Sequence, residues 1–209
     1  MFYSLKHLPK LASLSVVLAL ATACDNGSTG AILAPPTETM LQIVSQTLIT
    51  SPTSASSDTT IAGNTVVTFT VTSKGGTYNI GDHKIVFPTN VVCDPLTSGY
   101  GPSYWNQPCN IASYGITITA IVGTDRGHPK IDFSPPLRFV TNGRGQSVIL
   151  YMKDAAAQGS ATATIMYCNP LAGCVDESLT DPTLVTKKDA RGGFLYRILK
   201  HFSGYNVWA

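Results

Sequence analysis

Short runs of β-branched and aromatic residues, separated by glycine- and proline-containing turns, constrain the fold of this chain most strongly. Residues 65–72 alternate apolar and polar side chains with a period of two, which is typical of a half-buried strand. Because many short strands joined by tight turns pack as two sheets, the sequence predicts an all-β fold, an antiparallel β-sandwich. Turns are expected at residues 74–76, 125–127, 134–136, 142–143 and 191–193.

The same pattern predicts further strands at residues 84–87, 115–122, 130–133, 137–140, 147–152, 161–167, 183–186 and 194–199. Residues 153–158 are the only helix-like stretch, and they are too few to form a stable helix without tertiary packing. Residues 51–60 are rich in Ser and Thr and include Pro52, which predicts a loop between strands.

Residues 1–23 have the pattern of a bacterial secretory signal. Lys6, His7 and Lys10 form a basic head, residues 11–20 form a mostly apolar run, and small residues precede Cys24. The apolar run covers about half of the roughly 20 residues that a membrane-spanning helix needs, so we expect export. Cys24 is then expected to be the lipid-bearing first residue of the mature chain; cleavage without lipidation, which gives a freely secreted protein, is the alternative.

The chain has five cysteines, and lipidation of Cys24 would leave four. An even number suits disulfides in an oxidising compartment outside the cell. Of the three possible pairings, sequence separation favours Cys93 with Cys109 and Cys168 with Cys174. No pair of cysteines has the two-residue spacing of a zinc site, so we expect no metal there.

The region after the signal divides into a tether and one domain. Residues 24–39 have no periodic apolar pattern and are expected to form a flexible tether. Residues 40–209 are expected to form a single β-sandwich. The chain has 14 basic and 12 acidic residues, and the predicted signal removes two lysines and no acid. The mature protein would be neutral, with Lys187-Lys188 its only adjacent basic pair, which argues against nucleic-acid binding.

Two groups of short segments resemble parts of ZU5 domains. The Gly-Gly-Thr-Tyr-Asn-Ile sequence at 75–80 and Lys-Ile-Val-Phe-Pro at 84–88 are similar to the opening of this immunoglobulin-like sandwich. Residues 147–151 and 163–167, followed by His201-Phe202-Ser203, resemble its second half. The resemblance covers residues 65–209, apart from a cysteine-bounded insertion at 92–114. It implies a fold and an interaction module. No cofactor is predicted.

Some ZU5-containing proteins cut themselves within the triplet that is matched here by His201-Phe202-Ser203. In such a reaction the Ser203 hydroxyl would attack the carbonyl of Phe202, and His201 would act as general base. The favoured alternative is structural. It places His201 and Ser203 on one face of a strand, points Phe202 into the core and leaves Gly204 at a bulge.

The predicted Cys93–Cys109 loop contains Tyr100, Tyr104 and Trp105 among glycines and prolines. Amphipathic aromatic residues on a clamped loop suit binding of sugars or proteins. The favoured alternative is that the rings pack over the disulfide and cover one end of the sandwich.

Other chemical signals are weak. The chain has no Gly-x-Ser-x-Gly, His-Glu-x-x-His or phosphate-binding loop, so no dedicated enzyme is predicted. Asp176 and Glu177 are adjacent carboxylates that are expected to diverge rather than act as a hydrolytic pair. Potential metal donors whose spacing matches no defined site are Asp82, His83, Asp125, His128 and Asp132.

The sequence therefore predicts an exported, lipid-anchored protein of the bacterial cell envelope that acts as a structural or protein-interaction module. Self-cleavage between Phe202 and Ser203 and carbohydrate binding by the aromatic loop are the two alternatives. Expected partners are the membrane, through the anchor, and either another protein or a second copy paired at a sheet edge.

Overall fold

The computed structural model describes residues 57–61 and 63–209. They form two antiparallel sheets that pack face to face, which confirms the predicted β-sandwich. The predicted signal at 1–23, the lipidation site Cys24, the tether at 24–39 and residues 40–56 lie outside the described residues. The strands are β1 Ser57–Ile61, β2 Asn64–Val71, β3 Gly76–Ile80, β4 His83–Phe87, β5 Ile116–Asp125, β6 His128–Ser134, β7 Val148–Lys153, β8 Thr164–Asn169, β9 Gly173–Val175, β10 Lys187–Asp189, β11 Phe194–Leu199 and β12 Gly204–Trp208.

The larger sheet has seven strands in the order β1-β2-β5-β6-β12-β8-β9. The smaller sheet has five, in the order β10-β11-β7-β4-β3. Consecutive strands such as β5 and β6 pair as hairpins, whereas β11 and β12 belong to different sheets. The chain therefore crosses from one sheet to the other immediately before its last strand.

The core forms because alternate residues of each strand face the opposite sheet. On β2, for example, Val67, Phe69 and Val71 are buried, while the intervening threonines face outward. Phe202 is fully buried at the centre of an aromatic cluster, where its ring packs against Phe87, Phe133 and Phe139.

Both predicted disulfides are present. The Cα atoms of Cys93 and Cys109 are 5.6 Å apart, and the bond closes a loop with a sequence separation of 16. Cys168 and Cys174 join the neighbouring strands β8 and β9 with a separation of 6. Among the described residues, no helix is both long enough and apolar enough to cross a bilayer.

Several predicted elements were wrong. Residues 57–60, expected in a loop, belong to the edge strand β1. Residues 137–140 make only single-residue bridges, because the segment crosses the end of the sandwich between Val92 and His201. Residues 183–186 are not a strand: Pro182–Leu184 is a 3-10 helix whose first turn is capped by the Asp181 side chain. The helix-like stretch at 153–158 contributes only to β7 and the 3-10 turn Ala157–Gly159.

Candidate functional site

The candidate site is the crossover between the two sheets at residues 201–203, together with the disulfide-closed loop that covers it. The prediction that His201 and Ser203 share a strand face was wrong, because β12 begins only at Gly204. The backbone N–H of Phe202 donates to the carbonyl of Leu137 (2.7 Å), and the carbonyl of Ser203 accepts from Phe133 N–H (3.1 Å). These bonds attach the crossover to the segment at 137–140 on one side and to β6 on the other.

Gly204 lies where the chain enters the centre of the seven-stranded sheet. A Cβ atom at this position would lie 2.5 Å from Oδ1 of Asp132 and 3.0 Å from the carbonyl oxygen of Cys168. The glycine after Ser203 is therefore explained by a close approach between neighbouring strands, and no bulge is needed to account for it.

The Cys93–Cys109 loop is attached to the sandwich by the buried guanidinium of Arg138. Its Nε donates to the carbonyl of Gly99 (3.1 Å), and its Nη1 donates to the carbonyls of Tyr104 (2.7 Å) and Gln107. A longer contact joins Nη2 to the carbonyl of Pro108 (3.3 Å). One side chain thus satisfies carbonyls along much of the loop, which gives the loop a defined backbone path.

Two of the three loop aromatics contact the crossover. The indole of Trp105 stacks on the imidazole of His201, with ring centroids 3.8 Å apart and planes inclined by 16°. The hydroxyl of Tyr100 donates to the carbonyl oxygen of Phe202. Tyr104 packs beside Gly99 and is 46% exposed. The loop and the His201-Phe202-Ser203 triplet, two separate candidates in the sequence, therefore form one site.

A buried ionic network lies beneath Trp105. The carboxylate of Glu177 accepts from Nε2 of His201 (2.8 Å) and from Nη2 of Arg197 (2.9 Å). Arg197 also donates to the carbonyl of Ile165 (2.7 Å). Because a buried charge is tolerated only when it is paired and hydrogen bonded, Glu177 compensates Arg197 in the core.

Two tyrosines complete the enclosure of His201. The Tyr205 hydroxyl donates to the His201 carbonyl (2.6 Å), and burial raises the pKa of Tyr205 well above its ordinary value. Burial, with smaller contributions from Tyr167 and Glu177, raises the pKa of Tyr100 to about 12. Both phenols are therefore protonated hydrogen-bond donors at neutral pH.

The predicted nucleophile and base do not face each other. The Ser203 hydroxyl donates to the carbonyl of Cys168 (3.3 Å), and His201 uses Nε2 for Glu177. The other ring nitrogen of His201 is buried and has no hydrogen-bond partner among the described residues. The group placed next to the Phe202 carbonyl is the Tyr100 hydroxyl, which the sequence did not suggest for this chemistry.

The weaker candidates are dispersed. Asp125 accepts from Asn206 (3.0 Å), Asp132 pairs with Lys130 (3.0 Å), and His128 contacts Asp154 (2.7 Å). In the part of the chain that the structure describes, no three His, Cys, Asp or Glu side chains are grouped to bind a metal ion. Asp176 and Glu177 diverge: Asp176 caps a 3-10 turn, while Glu177 is buried.

Sequence reasoning missed Arg138, Arg197 and the role of Glu177. The pattern of β11 contained a usable signal, because alternation places Arg197 on the core face between Leu195 and Leu199. A charged residue at a core position requires a buried partner. Nothing local identifies Glu177 as that partner, since it begins the short 3-10 helix Glu177–Leu179 that follows β9.

Comparison of the chain with models of known protein families and with curated proteins finds no match.

Proposed function

We propose that this protein is an exported, lipid-anchored β-sandwich that acts as a structural or interaction module of the bacterial cell envelope. The supporting observation is that the two side chains proposed for catalysis, His201 and Ser203, make contacts within the protein. His201 is paired with Glu177 and covered by Trp105, and Ser203 is bonded to a backbone carbonyl. Such an arrangement stabilises the crossover and supports a structural role for these groups.

Export and anchorage are supported by different parts of the chain. Two disulfides close within the sandwich, as is common in oxidising compartments and rare in the cytosol. The signal-like segment and Cys24 supply the means of export and lipidation. We further propose a ZU5-like sandwich, since the Gly75-Gly76 turn followed by β3 and β4 matches the order of that motif.

The anchor is tested by replacing Cys24. In the native bacterium, the wild-type chain should incorporate labelled palmitate and sediment with membranes, whereas Cys24→Ala should do neither. The Cys168→Ala/Cys174→Ala double variant is the matched control, because it also loses thiols but should keep the label. Equal labelling of wild type and Cys24→Ala would rule out the proposed anchor.

Self-cleavage is a second candidate because the Tyr100 hydroxyl donates to the carbonyl of the bond that would break. Attack by the Ser203 hydroxyl oxygen on the Phe202 carbonyl carbon would break the Phe202–Ser203 C–N bond. It would form an ester and free the amine of Ser203, and water would then hydrolyse that ester. A donor at the carbonyl oxygen would stabilise the developing negative charge. Against this, the described partners of the Ser203 hydroxyl are the carbonyl of Cys168 (3.3 Å) and the protonated phenol of Tyr100, and neither is a general base.

Peptide mapping of the denatured protein tests this candidate. Self-cleavage requires a peptide whose free amino terminus is Ser203, present in the wild type and absent from Ser203→Ala. The structural role predicts that both proteins yield only peptides spanning the intact Phe202–Ser203 bond.

The aromatic loop provides less support for sugar binding, which stays a prediction. Trp105 uses one ring face for His201, and the Tyr100 hydroxyl is bonded to Phe202. Glycan affinity that is lost in Trp105→Ala while the fold remains intact would favour this alternative.

A further inference from the structure

The outer face of the five-stranded sheet is unusually rich in aromatic and aliphatic side chains. Solvent-facing sides of antiparallel sheets are commonly polar, and alternation normally keeps apolar residues on the inner face. Here the outward positions of β4, β7 and β11 are half-buried and mostly apolar, as the burial pattern of each strand shows. They are Lys84, Val86, Ile149, Tyr151, Phe194, Tyr196 and Ile198.

The strand register aligns one row of these side chains across the whole sheet. In order, the row contains Lys187, Tyr196, Tyr151, Lys84 and Asn79, one residue from each strand. Neighbouring strands are about 4.8 Å apart, so the row extends over roughly 19 Å. We call it the Lys-Tyr row.

The centre of the Lys-Tyr row is ordered by aromatic contacts. Tyr151 and Tyr196 stack with centroids 5.1 Å apart and planes inclined by 21°. The Lys84 ammonium lies 4.5 Å from the centroid of Tyr151 and 5.0 Å from that of Phe194. Both tyrosines are half-buried at outward positions of their strands. Neither hydroxyl has a hydrogen-bond partner among the described residues.

The charged groups on this face are mainly positive. Lys84 and Lys187 belong to the row, and Lys153 lies opposite Phe194 on the next strand. The acidic residue among these positions is Asp189, whose carboxylate already accepts from the backbone N–H groups of the following turn (both 3.2 Å). The face therefore complements a partner that carries negative charges.

An aliphatic row lies directly beside the Lys-Tyr row. Ile198, Ile149 and Val86 are cross-strand neighbours, two residues along their strands from Tyr196, Tyr151 and Lys84. A ligand on this face would meet ammonium and hydroxyl groups along one line and methyl groups along the next. A sugar acid has this same division, with a carboxylate and hydroxyls at its edges and C–H groups on its ring faces.

We propose that the outer face of the five-stranded sheet binds an acidic polysaccharide along the Lys-Tyr row. The carboxylates pair with Lys84 and Lys187, the sugar hydroxyls bond to Tyr151 and Tyr196, and the ring faces lie on the aliphatic row. An acidic protein segment is disfavoured because protein hot spots are desolvated pockets, whereas the Lys-Tyr row is partly exposed and its side chains end in polar groups. This proposal specifies a partner for the interaction role proposed above and does not depend on the lipid anchor.

The test uses the purified full-length chain in detergent and three soluble polymers. Polygalacturonate is the acidic polysaccharide, dextran is a neutral one, and poly-L-glutamate is an acidic peptide. We expect polygalacturonate to bind and added salt to weaken it, because exposed charge pairs are screened. Lys84→Gln/Lys187→Gln should weaken that binding roughly tenfold, and Tyr151→Phe should weaken it by a smaller factor. Lys130→Gln, on the outer face of the other sheet, is the matched control and should bind like the wild type.

Three results would overturn the proposal. They are no binding of polygalacturonate, equal or tighter binding of dextran or poly-L-glutamate, and an equal loss in Lys130→Gln. Unchanged thermal midpoints of the variants would show that a loss of binding is not a loss of folding. The Cys24→Ala protein separates this proposal from that of the anchor. If that variant is not labelled by palmitate yet binds polygalacturonate normally, Cys24 is needed for attachment to the membrane and not for binding of the polysaccharide.

Discussion

Each disulfide closes one loop of the sandwich, but different structures lie beneath the two loops. Cys168–Cys174 joins the ends of β8 and β9, and Leu171 at its tip is 98% exposed. The Cys93–Cys109 loop is bound from below by Arg138, and its Trp105 covers the buried His201. Cysteine spacing alone identifies a closed loop. Whether that loop is an isolated staple or part of the core depends on the side chains that reach it from distant strands.

The largest loss of stability should come from removing the Glu177 carboxylate, which lies beneath the larger, Cys93–Cys109 loop. Glu177→Ala leaves Arg197 buried without its counter-charge, so we expect a loss of about 3–5 kcal/mol in the free energy of unfolding. Urea denaturation measures it. Asp132→Ala is the control, because its pair with Lys130 is at the surface and should contribute less than about 1 kcal/mol. Equal losses of unfolding free energy in the two variants would mean that the buried network does not stabilise the end of the sandwich beneath the Cys93–Cys109 loop.

Removing each disulfide compares the loops directly. The chain-entropy relation gives about 3 kcal/mol for a loop of the larger size and about 2 kcal/mol for one of the smaller size. Cys93→Ala/Cys109→Ala should therefore be the less stable double variant in urea denaturation. It should also become sensitive to proteases within residues 94–108. A larger loss for Cys168→Ala/Cys174→Ala would reverse the comparison.

Replacing the aromatic residues of the Cys93–Cys109 loop should reduce stability by different amounts, depending on whether the ring packs on the crossover or faces solvent. Trp105→Ala removes the ring stacked on His201, and we expect a loss of roughly 2 kcal/mol because this side chain is partly buried. Tyr104→Ala, one residue earlier and exposed, should change stability by less than about 0.5 kcal/mol. Thermal or urea unfolding measures both. Similar losses would indicate that the loop does not pack specifically on the crossover.

The smallest effect concerns a surface pair at the loop's margin. Lys200 bonds to Asn106 of the loop (2.6 Å) and to Asp181. Bonds from Lys200 and Thr183 lower the pKa of Asp181 from 3.8 to about 2. Since the folded-state pKa is the lower one, this stabilisation is present above about pH 4 and is lost as the pH falls toward 2.

Asp181→Asn should therefore cost less than about 1 kcal/mol at neutral pH. Unfolding of both proteins across pH 2–7 should show the difference shrinking in the acid range. A difference that is constant or grows as the pH falls would contradict the assignment.

Sequence patterns were sufficient for features that depend on local order. Period-two alternation located β2, β4, β5 and β11, and loop length favoured the observed disulfide pairs. The pattern failed where distant contacts determine the structure. Residues 137–140 have the composition of a strand, but their neighbours across the end of the sandwich allow only single bridges.

The candidate site shows the same limit. His201, Phe202, Ser203, Tyr100 and Trp105 were all identified from sequence, as two unrelated motifs. That they form one site depends on the crossover between sheets and on the four carbonyl contacts of Arg138, which no local pattern encodes. Glu177 could not be predicted because its partners lie 20 and 24 residues away on other segments.

The proposal of an anchored, disulfide-closed envelope module is tested by the intact mass of the protein purified from its native membrane, measured before and after reduction. We expect a chain from Cys24 to Ala209 with attached acyl groups, which gains the hydrogens of two disulfides on reduction. A chain that ends at Phe202 would contradict the structural role of the crossover. A lipid-free chain, or one that gains no hydrogens on reduction, would contradict the anchored, disulfide-closed module itself.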